Sequence, residues 1–317
     1  MNLMNIDKIV EKILKDCLDV KPRENILIVT DTEKENIGKA IFKKAIQRGL
    51  ETTLVIIKPM GRHGKEPPEA VSEAMKKCDV VICPTKFSLT HTQARKIACE
   101  HGARVVTMPG ITEDMFLKGA MTADYKKIAF FTDKLAEILT TAKKARIEKE
   151  DAVLEMSLEN RKGISSNGQY FKPGSHGNLP TGEAYIAPVE GTANGRVIID
   201  GSIASIGLVK APLEVKIENG YAVDFAGPDA DRLREILGTK KEARNIAELG
   251  IGTNPQARLI GNILEDEKIY GTVHIAFGDN STFGGNTRAG VHIDGIILNP
   301  VLYIDDKLIV KEGKILI

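Results

Sequence analysis

His292-Ile293-Asp294 places an imidazole and a carboxylate two residues apart. On a β-strand such residues point to the same face. The surrounding run Val-His-Ile-Asp-Gly-Ile-Ile-Leu is apolar at the alternate positions, with Val291, Ile293 and Ile297 turned to the other side. One strand can therefore present two ligands to one metal ion. A second strand of the same kind lies upstream, Thr272-Val273-His274-Ile275-Ala276-Phe277, in which His274 alternates with apolar neighbours. Two imidazoles and a carboxylate suit Zn, Mn, Co or non-haem Fe(II). The competing reading of each histidine is a hydrogen-bonded, partly buried side chain. Two such residues in otherwise hydrophobic strands favour the metal site.

Two carboxylates join this set for a different reason. Glu183 follows a turn-rich segment, Gly177-Asn178-Leu179-Pro180-Thr181-Gly182, and precedes a short apolar run. Glu248 sits among apolar residues and glycines in Ile246-Ala247-Glu248-Leu249-Gly250-Ile251-Gly252, where a solvated glutamate would be out of place. Either could be an ordinary surface charge on spacing alone.

The elements that hold these residues divide the chain. In the first half, apolar positions at helical spacing over 5–17 lead into Asn25–Thr30, a continuous apolar run of the buried-strand type. Strand-like runs recur at Thr52–Ile57, Val80–Cys83 and Val105–Met108, with helical patterns at 33–48, 69–77, 92–100 and 124–146. This alternation predicts βαβ units around a parallel sheet. The second half is β-rich, with runs at Val153–Ser157, Arg196–Ile199, Leu213–Ile217, Ala222–Phe225, Val301–Ile304 and Leu308–Val310. Asn219-Gly220 between two of them signals a tight hairpin. Helices are expected at 228–237 and 240–248. The expected fold is α/β: a Rossmann-like parallel-sheet domain over 1–148, then a β-rich α+β metal-binding domain over 149–317, the change falling in the charged stretch Lys143–Asp151.

Composition excludes several functions. The net charge of the 317-residue chain is +1, and only 5% of residues are aromatic, with no Trp. Neither nucleic acid nor an anionic membrane is an expected partner. The turn after the first strand, Asp31-Thr32-Glu33-Lys34-Glu35, lacks G-x-G-x-x-G and would repel a pyrophosphate. No P-loop is present, and no G-x-S-x-G elbow suggests a serine hydrolase. Cys17, Cys78, Cys83 and Cys99 form no C-x-x-C pair and read as small, reduced side chains. With no signal-peptide pattern and no spanning apolar run, a soluble cytoplasmic protein is expected. Two loops that would follow strands of the parallel sheet, Met60–Lys65 and Thr85–Thr92, stand where open sheets bind ligands. In the second, Ser88 or Thr90 is expected to cap the following helix.

The segments Asn178–Pro188, Ala247–Gly250, His274–Gly278 and His292–Asp294, with Ser88–Arg95 and Met108–Thr112, resemble the aminopeptidase T family of thermophilic metalloaminopeptidases. The resemblance covers most of the chain in order. It implies a cytoplasmic homodimeric hydrolase that uses two divalent metal ions (Zn, Co, Mn or Mg) to remove N-terminal residues from a peptide. The ligands it implies are Glu183, Glu248, His274, His292 and Asp294. It does not identify an acid or base; Tyr185 and Arg288 are the leading catalytic candidates, with Tyr270 and His176 behind them. Asn286 and Arg288 could support ligands or hold a substrate oxygen. The sequence departs from the family in two ways: Gly278–Phe283 lacks the Tyr that follows the first His, and the interval from His274 to His292 is shorter. Ring-cleaving dihydroxypyridine dioxygenases resemble the same family, so an alternative is one Fe(II) held by His274, His292 and Asp294, acting on a small molecule. A non-catalytic metal- or small-molecule-binding protein of the same fold is the third reading.

Overall fold

The computed structural model describes residues 3–317. The chain forms two compact units, Met1–Lys126 with Gly168–Thr181, and Lys127–Asn167 with Gly182–Ile317. The architecture is mixed α/β, with one parallel sheet and two antiparallel ones. Residue 148, the expected end of the first domain, lies in the strand Lys144–Lys149 of the second unit.

In the first unit five parallel strands lie in the order Thr52–Ile57, Ile26–Asp31, Val80–Cys83, Arg104–Thr107, His176–Asn178. Every residue of Ile26–Asp31 is buried, which is why this strand reads as an unbroken apolar run. The next strand pairs on one side of it and the third on the other, so its C-terminal end is a topological switch point. There the buried Asp31 carboxylate accepts hydrogen bonds from the backbone N–H groups of Glu33 (3.0 Å), Lys34 (3.1 Å) and Lys86 (2.6 Å). The loop Thr85–Thr92 ends in the helix Gln93–Glu100, and its cap is Thr92, not Ser88 or Thr90. Ser88 and Thr90 bond each other instead (2.9 Å), and Thr90 also meets Thr107 (2.6 Å). The four cysteines are free thiols.

The second unit stacks two antiparallel sheets on one apolar core. The eight-stranded sheet runs Tyr221–Ala226, Leu213–Glu218, Asn194–Ile199, Ala152–Ser157, Lys144–Lys149, Val301–Ile304, Lys307–Lys311, Lys314–Ile315. The seven-stranded sheet runs Gly207–Leu208, Ser202–Ile203, His292–Ile297, Val273–Gly278, Ile246–Gly252, Glu183–Ile186, Ile164–Ser166. Leu154, Val197, Val215 and Ile217 of the first share the core with Ile186, Leu249, Ile251, Ile275 and Ile293 of the second. Burying each such side chain stabilises by about 1.5–3 kcal/mol. The Asn219-Gly220 and Asp305-Asp306 hairpins both have two residues at positive φ, the geometry of a type I′ turn.

Two expected helices are corrected. The helix that periodicity extends to residue 146 stops at Thr141, and Lys144–Lys149 is a strand. Ala145 and Ile147 are its buried positions, a period of two hidden among charged neighbours. The stretch 240–248 is a short 3₁₀ turn, Lys241–Arg244, followed by the strand Ile246–Gly252. Ala, Glu and Leu favour a helix intrinsically. Burial of all seven residues between two paired strands overrides that preference.

Candidate metal centre

Cross-strand register assembles the site on one face of the seven-stranded sheet. Glu183 lies opposite Gly252, Tyr185 opposite Gly250, Gly250 opposite His274, Glu248 opposite Ala276, Ala276 opposite Asp294, and Gly278 opposite His292. Each large polar side chain thus faces a glycine or alanine, which gives it room. The other face carries Ala184, Ile186, Leu249, Ile251, Val273, Ile275, Phe277, Ile293 and Ile297 into the core.

Glu248 reaches this face through a β-bulge. The register shifts between Ile246 and Glu248, leaving Ala247 without a partner in the pairing with Val273–Gly278. Without the shift, Glu248 would share the core face with Ile246. With it, the carboxylate turns to the site and Leu249 and Ile251 turn to the core. Gly250 is fixed by close approach: a Cβ there would stand 2.0 Å from His274 Nε2.

The five residues named from the sequence converge. Glu183, Glu248 and His274 bring ligand atoms within 4.8 Å of one another; so do Glu248, His292 and Asp294, and Glu267, His274 and Asp294. His274 Nε2 is 3.3 Å from Glu248 Oε1 and 3.4 Å from Glu183 Oε2. His292 Nε2 is 3.4 Å from Glu248 Oε2 and 3.3 Å from Asp294 Oδ1. Glu248 and Asp294 therefore each belong to a group with either imidazole. His274 is fully buried, whereas the His292 side chain is 31% exposed and marks the open side.

The electrostatics follow from this crowding. Burial raises the Glu248 carboxyl, but hydrogen bonds and charge from His274 and His292 outweigh it and hold the group at about 2. Burial lowers His274, yet Glu248 and Glu183 lift it to about 9. His292 is likewise raised well above its ordinary value, by Asp294 and Glu248 against its own burial.

Two further charged residues, Glu267 and Lys268, belong to the constellation and escaped the sequence reading. Lys268 is completely buried, and its ammonium donates to Glu183 Oε1 at 2.6 Å and to Glu267 Oε1. Burial raises the Glu267 carboxyl to about 8 against the opposing effect of Lys268. In sequence they end the charged run Glu265-Asp266-Glu267-Lys268, which looks like any solvated turn.

The loop between the His274 and His292 strands is pinned in place. The Asp279 carboxylate accepts from Ser281 N (3.0 Å), Ser281 Oγ (2.7 Å) and Ala289 N (2.8 Å). Glu190 accepts from Asn280 Nδ2 (3.0 Å) and Asn286 N (2.7 Å) and pairs with Arg161. The loop then serves His292 twice. The Asp279 carbonyl accepts from His292 Nδ1–H at 2.8 Å, which leaves Nε2 free as a ligand. Phe283 stands edge-on to His292 with centroids 5.6 Å apart, and to Tyr185 at 5.5 Å.

The remaining candidates separate. Tyr185 shares the site face with Glu183 and closes the aromatic side with Phe283. Arg288 and the Asn286 side chain lie on the exposed rim of the pinned loop. The Tyr270 hydroxyl accepts from Ile315 N at 3.4 Å, at the chain's last strand. His176 belongs to the parallel sheet of the other unit.

The donor set fits a divalent ion. It consists of borderline nitrogen and hard oxygen donors on a buried face. Glu183 Oε2 is buried with no hydrogen-bond partner among the described residues, a cost that ligation or a bridging group would remove.

Comparison with known proteins redirects the chemistry. The family model of 2,5-dihydroxypyridine 5,6-dioxygenase matches residues 5–317. A curated protein of that name from Pseudomonas putida is 24% identical over 172 residues, which cover 48% of this chain and 48% of that protein. The match thus spans about half the length of the curated relative. The solved structure of 2,5-dihydroxypyridine dioxygenase from Pseudomonas putida superimposes with a TM-score of 0.84 at 17% identity, over 100% of this chain and 98% of that one. AmpT from Thermus thermophilus superimposes with 0.73 at 16% identity, over 99% of each. The resemblance to aminopeptidase T is therefore corrected: AmpT is a neighbour in fold, and the hydrolase, aminopeptidase and metalloprotease reading falls with it. Four of the six segments that suggested it contribute strands to the seven-stranded sheet of a fold the two proteins share, and a scaffold does not fix a reaction.

Proposed function

We propose, from the premise that this chain belongs to the 2,5-dihydroxypyridine 5,6-dioxygenase family, that it is a metal-dependent dioxygenase opening the ring of a small hydroxylated pyridine. The observation that carries the reading is that Asp294 shares a ligand group with His292 and another with His274 on one face of the sheet, beside an aromatic wall. Two imidazoles and one carboxylate are the donor set of non-haem Fe(II) oxygenases. Ferrous ion, when bound there, supplies the one-electron chemistry through which a closed-shell ring reacts with dioxygen.

The chain's own residues do the rest. Asp279 fixes the His292 tautomer through its carbonyl. Glu248 faces the Nε2 atoms of both imidazoles and adds negative charge beside the position a cation would take. Phe283 and Tyr185 offer ring edges next to the open side of His292, where a flat heteroaromatic substrate would find apolar contact. Tyr185 is the side chain we assign to meeting a substrate hydroxyl, since it shares the ligand face. Among the described residues no helix is long and apolar enough to cross a membrane.

The test is anaerobic reloading with Fe(II), followed by oxygen uptake and loss of ring absorbance with 2,5-dihydroxypyridine, its isomers and catechol. Consumption of one O₂ per dihydroxypyridine opened is expected. An iron-loaded protein that consumes no oxygen with any of these rings would overturn the proposal.

A further inference from the structure

Lys268 sits in a place where a buried lysine is costly, and its partners are ligands. An ammonium is seldom removed from water unless it is paired and hydrogen-bonded. Here the pairing is with Glu183 and Glu267, and no part of Lys268 reaches the surface. The carbonyl of Lys268 also accepts from Asn254 N at 2.8 Å, so the residue's backbone is held too.

The three candidate ligand groups differ in their relation to this cation. Glu183 with Glu248 and His274 includes a carboxylate that Lys268 already holds; so does Glu267 with His274 and Asp294. Glu248 with His292 and Asp294 includes none, and it lies on the open side. Two positions that share Glu248 would make a two-ion site, one on the His292 side and one at Glu183. At Glu183 an incoming dication would meet a fixed positive charge with no water to screen it.

We infer that Lys268 stands in for a second metal ion: its ammonium occupies the Glu183 corner and leaves a single ion to Asp294 and the two imidazoles, His292 and His274, with which Asp294 shares ligand groups. Lys268 is thus a positioning residue that sets nuclearity. The inference rests on the metal-centre reading above and adds to it which of two adjacent positions fills.

Stoichiometry tests it without reference to turnover. Metal-free protein would be titrated anaerobically with Co(II) and with Fe(II), and ions retained against a weak chelator counted per chain. One ion is expected for the native protein and for Lys268→Arg. Two are expected for Lys268→Met, the second Co(II) changing the EPR signal of the first because Glu248 links them. Removing one partner of a buried pair can prevent folding. Lys268→Met with Glu267→Gln removes a carboxylate along with the cation, and the same two ions are expected of it. Two ions on the native protein, or a single ion on both methionine variants, would overturn the inference. A native protein that retains no ion would instead overturn the metal centre itself, and this inference with it.

Discussion

The switch point of the parallel sheet and the ligand face of the antiparallel sheet both gather buried polar side chains, but they satisfy them differently. At the switch point Asp31 takes up three backbone N–H groups, and Thr30 donates to the Pro84 carbonyl at 2.8 Å. Thr90, Thr107 and Asn178 close on one another within 2.6–3.2 Å. Every one of these contacts is a neutral or charge-assisted hydrogen bond that tightens the fold. On the ligand face carboxylates meet imidazoles at 3.3–3.4 Å, longer than good hydrogen bonds, and Glu183 Oε2 and His274 Nδ1 have no partner among the described residues. Polar groups that complete one another build structure; polar groups held together but incomplete build a site for something else.

The largest effect should come from breaking the incomplete set. Asp294→Ala and His292→Ala each remove a proposed ligand, so ring cleavage should fall to background and Fe(II) content with it, while the fold persists by circular dichroism. Asp31→Ala is the counterpart. It orphans three backbone donors and should cost about 1–3 kcal/mol in denaturant unfolding, with metal content unchanged. If Asp31→Ala emptied the metal site, or Asp294→Ala left it full, the contrast between the two regions would be false.

A smaller but still clear effect is expected at Gly250. Its hypothetical Cβ falls 2.0 Å from His274 Nε2, so Gly250→Ala must push the imidazole aside. Overpacking of this kind costs about 1–3 kcal/mol. Because the displaced group is a proposed ligand, weaker metal binding should accompany the lower stability. Calorimetric titration with Co(II) would show it, and an Ala variant with native affinity would remove His274 from the ligand set.

How much of this was legible in the sequence varies with the physics. His292 and Asp294 were legible because they lie on one straight strand, where a period of two survives intact. The parallel sheet was legible because buried strands read as apolar runs. Glu248 is only odd in the sequence, and the start of its strand has helical propensity. The bulge at Ala247 breaks the alternation, so Ile246 and Glu248, two apart, face opposite ways. Lys268 and Glu267 were invisible, since their burial depends on Glu183, far away in sequence, which no local pattern encodes. The peptidase reading had a related cause. Ligand motifs report the sheet that holds them, whereas Phe283, which stands against His292, shows in the sequence only as the lack of a tyrosine.

Proton balance sharpens the comparison further. In metal-free protein His274 titrates near 9 and His292 well above the ordinary histidine value of about 6.5. Their folded-state values are raised, so the stability they contribute is complete below about 6.5 and is lost at higher pH, for His274 as pH climbs through about 9. Glu248 is depressed to about 2; its contribution is complete above about 4.5 and is lost as pH falls through about 2. From these groups, chelated protein should be most stable between about 4.5 and 6.5. Ligation requires unprotonated imidazole nitrogens, so metal uptake at pH 7 should release protons and strengthen as pH rises. Calorimetry in buffers of different ionisation enthalpy measures that release, and none at all would mean the imidazoles are not ligands.

The smallest effect tests whether the aromatic wall belongs to the substrate side or to the fold. Phe283 touches His292 and Tyr185 edge-on, contacts worth about 0.5–1.5 kcal/mol. Its loop is tied down by Asp279, Asn280 and Glu190 and does not depend on the ring. Phe283→Leu should therefore leave metal content and Tm close to native. If a substrate ring packs on this edge, the loss appears in binding, as a KM raised by about 2- to 10-fold with kcat little changed. A lower kcat at unchanged KM would place Phe283 behind His292 as a ligand support, and the wall would then belong to the metal centre instead of the substrate.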